Sequence, residues 1–220
     1  MTPADTTSPT VFVVDDDEQM RDSLEVLLEV VGFAVRPFAS PGSFQRYYRP
    51  QMPGCLLLDI RMPRQDGLAL YEQLLSAGKR LPMIFITVQA DALTPETAMR
   101  TGAIELLEKP FDREMLVDRV RKALALDAQW RQRDADIAAL EERVRRLSDR
   151  ERETLEMIEA GQSNKAMAAK LFLTERAVEM HRSAIMRKLQ VGSMAELVDL
   201  TATPNILAEL RTAAGEAQFR

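Results

Sequence analysis

Three consecutive acids, Asp15, Asp16 and Asp17, follow a short apolar run, VFVV. A fourth, Asp59, lies near the end of another, CLLLDI; Thr87 lies near the end of a third, MIFITV; and Lys109 follows a fourth, IELLE. Two carboxylates about 4 Å apart repel by about 4 kcal/mol at an effective dielectric near 20, so a buried group of three needs a cation. Oxygen-only donors with open positions suit Mg²⁺, which keeps waters and accepts phosphate oxygens. Such a cation would offset the repulsion between a carboxylate nucleophile and an incoming phosphoryl group. The Thr87 hydroxyl and the Lys109 ammonium could take the remaining phosphoryl oxygens. A lone Asp at a strand end is ordinarily a turn former or a helix cap, which is how Asp17 reads. Polar residues of these types on four separate runs go beyond that ordinary use.

The chemistry works only if distant residues meet, so the elements that carry them matter. VFVV (11–14), FAV (33–35), CLLLDI (55–60), MIFITV (83–88) and IELLE (104–108) are too short for helices, and most are continuously apolar. That pattern suits strands buried on both faces of a parallel sheet. Between them lie helix signals: Met20, Leu24, Leu27, Leu28 and Val31 on one face before Gly32, then Leu68, Leu70, Leu74 and Leu75 before Gly78. Thr94-Pro95 reads as a cap followed by proline at the first helical position, with Gly102 closing that helix. Five strands, each followed by a helix, predict a doubly wound α/β domain whose ligands sit beyond the C-terminal strand ends.

The chain has 220 residues, enough for two small domains, and at 46% hydrophobic and 29% charged either half can bury a core. Net charge is -5, so any nucleic-acid contact must come from a local basic patch. One His and one Cys, Cys55, leave no disulfide and nearly exclude a zinc site of the usual kind. Cys55 opens an apolar run and reads as a small buried side chain. No apolar stretch approaches the roughly 20 residues of a membrane helix, and MTPADTTSPT lacks the regions of a signal peptide. The expected protein is soluble and cytoplasmic, with residues 1–10 a disordered leader.

A long helix is expected from near Asp112 to about Leu147. Ala123, Leu126, Trp130, Arg133, Ile137, Leu140, Val144 and Leu147 recur at spacings of 3 and 4, with only Arg133 breaking the apolar series. Charge-rich positions lie between them, which predicts a coiled-coil seam and hence a homodimer. The rival is a single helix packed on its own domain, which such a length, about 50 Å, would overrun. From Ser148 onward the text is helical, with Leu155, Ile158, Ala166, Ala169, Leu171, Val178, Ile185 and Leu189 as a small core. Asn164 or Ser163 can cap the first helix of a helix-turn-helix and Thr174 the second. Within 164–188, Lys165, Lys170, Arg176, Arg182, Arg187 and Lys188 face only Glu175 and Glu179, a local +4 suited to phosphates.

VFVVDDD, CLLLDIRMPRQDG, FIT and EKPFD resemble the receiver domain of two-component response regulators over residues 10–125. The resemblance implies Asp59 as phosphoacceptor, a sensor histidine kinase as donor, and Asp15 and Asp16 as a Mg²⁺ pair. It also implies the backbone carbonyl of Arg61 as a metal ligand, Thr87 and Lys109 on the phosphoryl group, and a cis Lys109–Pro110 bond. One position departs from the family pattern: Leu106 stands where relatives place an aromatic switch residue, so coupling of phosphorylation to the surface is expected to be weaker or differently routed.

LSDRERETLEMIEAGQSNKAMA and LFLTERAVEMHRSAIMRKL resemble the LuxR-type output domain of the NarL/FixJ family. This implies a four-helix domain binding double-stranded DNA, with a third helix, about 175–189, in the major groove. Glu179, Met180 and Ser183 match its base-facing positions; Lys165, Arg176, Arg182, Arg187 and Lys188 would mainly meet phosphates. An acid at 179 can accept from cytosine N4. The expected division is therefore a receiver at 11–125, a helical linker at 126–147, the output domain at 148–202, and a C-terminal extension at 203–220 without assigned role.

The reading is a phosphorylation-controlled, dimeric transcription regulator with no catalysis beyond Mg²⁺-dependent phosphotransfer to Asp59 and its hydrolysis. An aspartyl phosphatase would want a carboxylate two residues after the nucleophile, where Arg61 stands. A receiver-controlled interaction module that has lost DNA binding is the other alternative, kept open by Glu179.

Overall fold

The computed structural model describes residues 8–62, 67–76, 80–87 and 105–201. They form two compact units, Met1–Arg131 and Gln132–Arg220. No helix among the described residues is long and apolar enough to cross a membrane.

In the first unit, β1 (Thr10–Val14), β2 (Ala34–Phe38), β3 (Gly54–Asp59), β4 (Met83–Thr87) and β5 (Glu105–Glu108) make one parallel sheet in the order β2-β1-β3-β4-β5. Alternate side chains serve opposite faces. Phe12, Val14, Leu56, Leu58, Met83 and Phe85 pack against α2 (Pro41–Tyr47) and α3 (Gly67–Ser76) through Phe44, Tyr48, Leu70 and Leu74. Val11, Val13, Cys55, Leu57, Ile84, Ile86 and Leu107 pack against Leu24 and Leu28 of α1 (Glu18–Val30) and Leu116, Val120 and Ala123 of α4 (Arg113–Arg145). Both faces are covered, which is why the strands read as unbroken apolar text. Cys55 is buried, as its setting predicts, and burial pushes its thiol well above the usual range.

Helix starts follow side-chain chemistry. Asp17 accepts from the amides of Gln19 and Met20 at 2.9 and 3.4 Å, and Ser40 caps α2 with Pro41 at its first turn. Apolar patterning marks neither α2, only seven residues long, nor the second half of β2, where Arg36 and Pro37 interrupt the apolar text. Proline is tolerated there because β2 is an edge strand. Thr10 already belongs to β1, so the expected leader to residue 10 is too long. Thr94, Pro95, Gly102 and residues 203–220 lie outside the described residues.

The second unit holds α5 (Asp149–Glu159), α6 (Asn164–Leu171), α7 (Glu175–Leu189) and α8 (Met194–Thr201). Ser148, Ser163 and Thr174 are the N-caps, Ser148 in a reciprocal capping box with Glu151. Leu155, Ile158, Leu171, Val178, Ile185 and Leu189 are buried as expected, but Ala166 and Ala169 are exposed and Met167 and Ala168 are buried instead. In an eight-residue helix rich in alanine the apolar stripe is too weak to fix its own phase. The α6–α7 turn places Phe172 in the left-handed region, φ 54°, and leaves the residue 95% exposed.

Half of the expected coiled-coil seam lies in or beside these two cores. Ala123 is buried in the first unit, Val144 and Leu147 are buried in the second, and Leu140 packs beside them. Leu126, Trp130 and Ile137 remain half-buried and Arg133 is exposed. A 3.6-residue apolar stripe is the same whether it faces a partner helix or its own domain. Here one helix feeds two cores in succession.

The first unit also runs past the expected boundary at 125. Asp127 is buried and accepts from the Gly54 amide at 2.9 Å and from Arg131 Nε at 2.7 Å. Arg131 in turn donates to the carbonyls of Pro50, Gln51 and Met52, the last at 2.6 Å. This clamp ties α4 to the start of β3. A Cβ at Gly54 would lie 2.0 Å from the Thr10 carbonyl oxygen, so only glycine brings this backbone so close to β1. Asp127→Ala strands the Gly54 amide and unpairs Arg131. It should lower receiver stability by about 2–4 kcal/mol, with Asp127→Asn intermediate because it keeps an acceptor. Chemical denaturation of the three proteins measures this; an alanine variant within experimental error of wild type would contradict the clamp.

Candidate phosphoacceptor site and nucleic-acid interface

The strand order reverses between β1 and β3, the switch point where doubly wound sheets bind ligands. Val14 pairs with Leu58, so Asp15 and Asp59 leave adjacent strands side by side. On the other flank Thr87 ends β4, and the Lys109 amide donates to the Thr87 carbonyl at 2.7 Å. Four strand ends thus deliver an acid, a second acid, a hydroxyl and an amine to one edge.

Lys109 joins them. Its Nζ donates to Asp59 Oδ2 at 2.6 Å and to Asp15 Oδ2 at 3.1 Å. Each carboxylate has its other oxygen fixed by backbone: Asp15 Oδ1 accepts from the Asp17 amide at 2.9 Å, and Asp59 Oδ1 from the Arg61 amide at 2.8 Å. Arg21 donates to the Asp15 carbonyl at 2.8 Å. The Lys109–Pro110 bond is cis. Gly67 packs behind Asp59: a Cβ there would lie 2.5 Å from the Asp59 carbonyl oxygen, so only glycine fits at this position.

Asp15 and Thr87 are 1% exposed and Asp59 8%, while Asp16 and the Arg61 side chain are exposed. Burial raises the Asp15 carboxyl above the usual range, against the pull of the Asp17 amide and Lys109, and the neighbouring charge of Asp59 adds to it. Burial draws the Lys109 amine down, but hydrogen bonds to Asp59 and Asp15 more than restore it and leave it raised. Among the described residues no three acidic, His or Cys side chains are gathered to hold a metal, Asp16 standing out in the loop. Mg²⁺, however, is commonly held by only one or two carboxylates plus waters and phosphate oxygens. A buried carboxylate whose charge Lys109 does not fully offset leaves room for such a cation, so the donor set fits. Leu106, at the family's aromatic position, is half-buried and packs beside the Phe12 and Phe85 cluster.

In the second unit, Lys165, Arg176, Glu179, Met180, Ser183 and Arg187 are exposed, Met180 by 68%. All but Lys165, which lies on α6, stand on α7. Two expected phosphate ligands are otherwise engaged. Arg182 donates from NH1 to Asn164 Oδ1, joining α7 to the first turn of α6. Lys188 donates to Glu151 Oε2 at 2.6 Å and to the Arg146 carbonyl at 3.1 Å. Burial alone would raise the Glu151 carboxyl, yet Lys188 and the Ser148 amide and hydroxyl hold it below the usual range. Lys188 is therefore a structural cation here. Neither the capping box Ser148-x-x-Glu151 nor its partner 37 residues on was read from the sequence, although the S-x-x-E spacing marks the box.

The pattern that defines response regulator receiver domains matches residues 11–121, and that of bacterial regulatory proteins of the luxR family matches residues 145–201. The chain is 35% identical over 191 residues to the response regulator protein TodT of Pseudomonas putida, covering 87% of this chain and 84% of that protein. It is 39% identical over 189 residues to the transcriptional regulatory protein FixJ of Azorhizobium caulinodans, covering 86% and 89%. Among solved structures it resembles the response regulator StyR, with a TM-score of 0.79, 41% identity and coverage of 89% of this chain and 99% of that one. The chain belongs to the response regulators of the NarL/FixJ kind, a receiver domain followed by a luxR-type helix-turn-helix. It is a phosphorylation-controlled transcriptional regulator.

The raised Asp15 carboxyl has a consequence for stability. A carboxyl that binds its proton more readily when folded adds stability at low pH and loses it as pH rises through its folded value. At neutral pH the buried Asp15 charge is therefore a cost. Asp15→Asn keeps an acceptor for the Asp17 amide and removes that charge. In metal-free buffer it should melt higher than wild type at pH 7, the gap closing as pH falls toward the ordinary Asp value of 3.8. Thermal melts across that range decide it; a gap that widens in acid would show the sign to be wrong.

Proposed function

We propose that Asp59 is the phosphoacceptor and that a sensor histidine kinase supplies the phosphoryl group. The observation that carries this reading is the shared ammonium: Lys109 held by Asp59 and Asp15 at the sheet's switch point. An Asp59 oxygen attacks phosphorus, the bond from phosphorus to the donor histidine nitrogen breaks, and that imidazole leaves with the bonding electron pair. Thr87 and Lys109 then bind phosphoryl oxygens, Lys109 exchanging its Asp59 contact for the transferred group. Asp15, Asp16, Asp59 and the Arg61 carbonyl are the residues that would hold Mg²⁺, which when bound offsets charge between carboxylate and phosphoryl oxygens. Phosphotransfer and hydrolysis at Asp59 are the only chemistry proposed.

The output unit binds double-stranded DNA through α7, with Glu179, Met180 and Ser183 toward base edges and Lys165, Arg176 and Arg187 toward phosphates. Arg182 is a DNA-backbone contact anchored on Asn164, and Lys188 has a mainly structural role. Binding as a homodimer would set two recognition helices about 34 Å apart. Of the linker helix, only Leu126, Trp130 and Ile137 remain for a partner, so the seam is shorter than the spacing suggested. A cytoplasmic location follows from both proposed partners, the kinase's phosphoryl donor and DNA.

Exposed to an acyl-phosphate donor and Mg²⁺, the wild-type chain should gain a phosphoryl adduct by intact mass, and Asp59→Asn should gain none. An adduct of wild-type extent on the variant would place the chemistry elsewhere. On DNA, Glu179→Ala should reorder the preferred sequences selected from a random duplex pool. Arg176→Ala should instead weaken all sequences alike and reduce the salt slope by about 1. Equal loss on selected and random duplexes for Glu179→Ala would remove its base-reading role.

A further inference from the structure

The last turn of α4 and the last turn of α7 end against each other, and each lends the other a cation. Arg143, in the final turn of α4, donates from NH1 to the carbonyl of Leu189, the last residue of α7, at 3.2 Å. Lys188, in the final turn of α7, donates to the carbonyl of Arg146, just beyond α4, at 3.1 Å. The terminal carbonyls of a helix have no partner within it and carry partial negative charge. Two such ends brought together would repel. Arg143 and Lys188 offset that repulsion by crossing over. Glu151, buried at the start of α5, holds Lys188 in place, and Val144, Leu147 and Leu189 close the apolar side of the junction.

The same helix α4 contributes Leu116, Val120 and Ala123 to the receiver core. A shift or turn of its receiver half must be taken up along the helix or passed to its last turn. Apolar contacts at that turn tolerate sliding; the crossed caps do not, because a hydrogen bond weakens steeply once stretched or bent. We propose that Arg143 is a positioning residue that fastens the linking helix to the recognition helix and transmits the receiver's phosphorylation state to it. The inference rests on the phosphorylation-controlled DNA binding set out above, and names the contact through which that control passes.

The test uses the full-length chain and a duplex enriched by the wild-type protein from a random-sequence pool. Affinity is measured by anisotropy with and without an acyl-phosphate donor and Mg²⁺. Arg143→Met keeps the aliphatic stem and the helix but loses the donor; Arg143→Lys restores a cation. Wild type should show a phosphorylation-dependent change in affinity of about 5–150-fold, the usual span of an allosteric coupling. In Arg143→Met that ratio should fall to under about two-fold while the unphosphorylated affinity stays near wild type, and Arg143→Lys should recover part of it. An unchanged ratio in Arg143→Met overturns the inference, as does a loss of affinity in both states with a lowered melting point, which would mark a purely structural contact. A wild-type chain that takes up the phosphoryl group without any change in affinity would instead sink the regulatory reading itself, and the inference with it.

Discussion

One ammonium shared by two buried carboxylates organises the receiver. Lys109 reaches Asp59 and Asp15 only because β1 and β3 are neighbours in a sheet whose order reverses between them. The covered, apolar faces of that sheet hold the strand ends rigidly enough to keep like charges together. Removing the cation leaves two acids facing each other in a low-dielectric setting, an arrangement that costs several kcal/mol. The site is thus held in tension, with charge that one lysine balances incompletely. That imbalance is what an incoming phosphoryl group and its metal would exploit.

Much of this was legible because the strands announce themselves. Continuous apolar runs, each ending in a polar residue, give both the parallel sheet and the edge where chemistry collects, and Asp15, Asp59, Thr87 and Lys109 follow from that alone. Asp16 joined them as a metal residue through the family resemblance; its side chain is exposed where that of Asp15 is buried. Asp127 was hidden for the opposite reason. It looks like half of an exposed i, i+4 pair with Arg131, yet it continues the spacing of Leu116, Val120 and Ala123 and so falls on the buried face. Its partner, the Gly54 amide, leaves no mark in a sequence.

The linking helix shows where periodicity stops being informative. Apolar residues every 3 or 4 positions from 123 to 147 satisfy a coiled coil, a single packed helix, or one helix serving two cores in turn, because all three demand the same stripe. What distinguishes them is the company at each end. At the first end a buried aspartate is clamped to β3; at the second, Val144 and Leu147 join the output core and Arg143 caps a neighbouring helix. The middle of the stripe, Leu126 to Ile137, is then what is left to face a partner.

This redistribution changes the electrostatics of the output unit. The sequence offers six cations against two acids between 164 and 188, but Lys188 is matched by Glu151, which lies outside that window. Arg182 keeps its charge yet is tethered to Asn164 and so is less free to follow a phosphate. Lys165, Lys170, Arg176 and Arg187 remain exposed, and the charge of Glu179 opposes the backbone it would approach. Each phosphate contact releases about one counterion, so on a chain of net charge -5 the sequence-independent affinity of one copy rests on these exposed cations. Pairing of two output units, as proposed, would double those contacts and make the acid at 179 more tolerable.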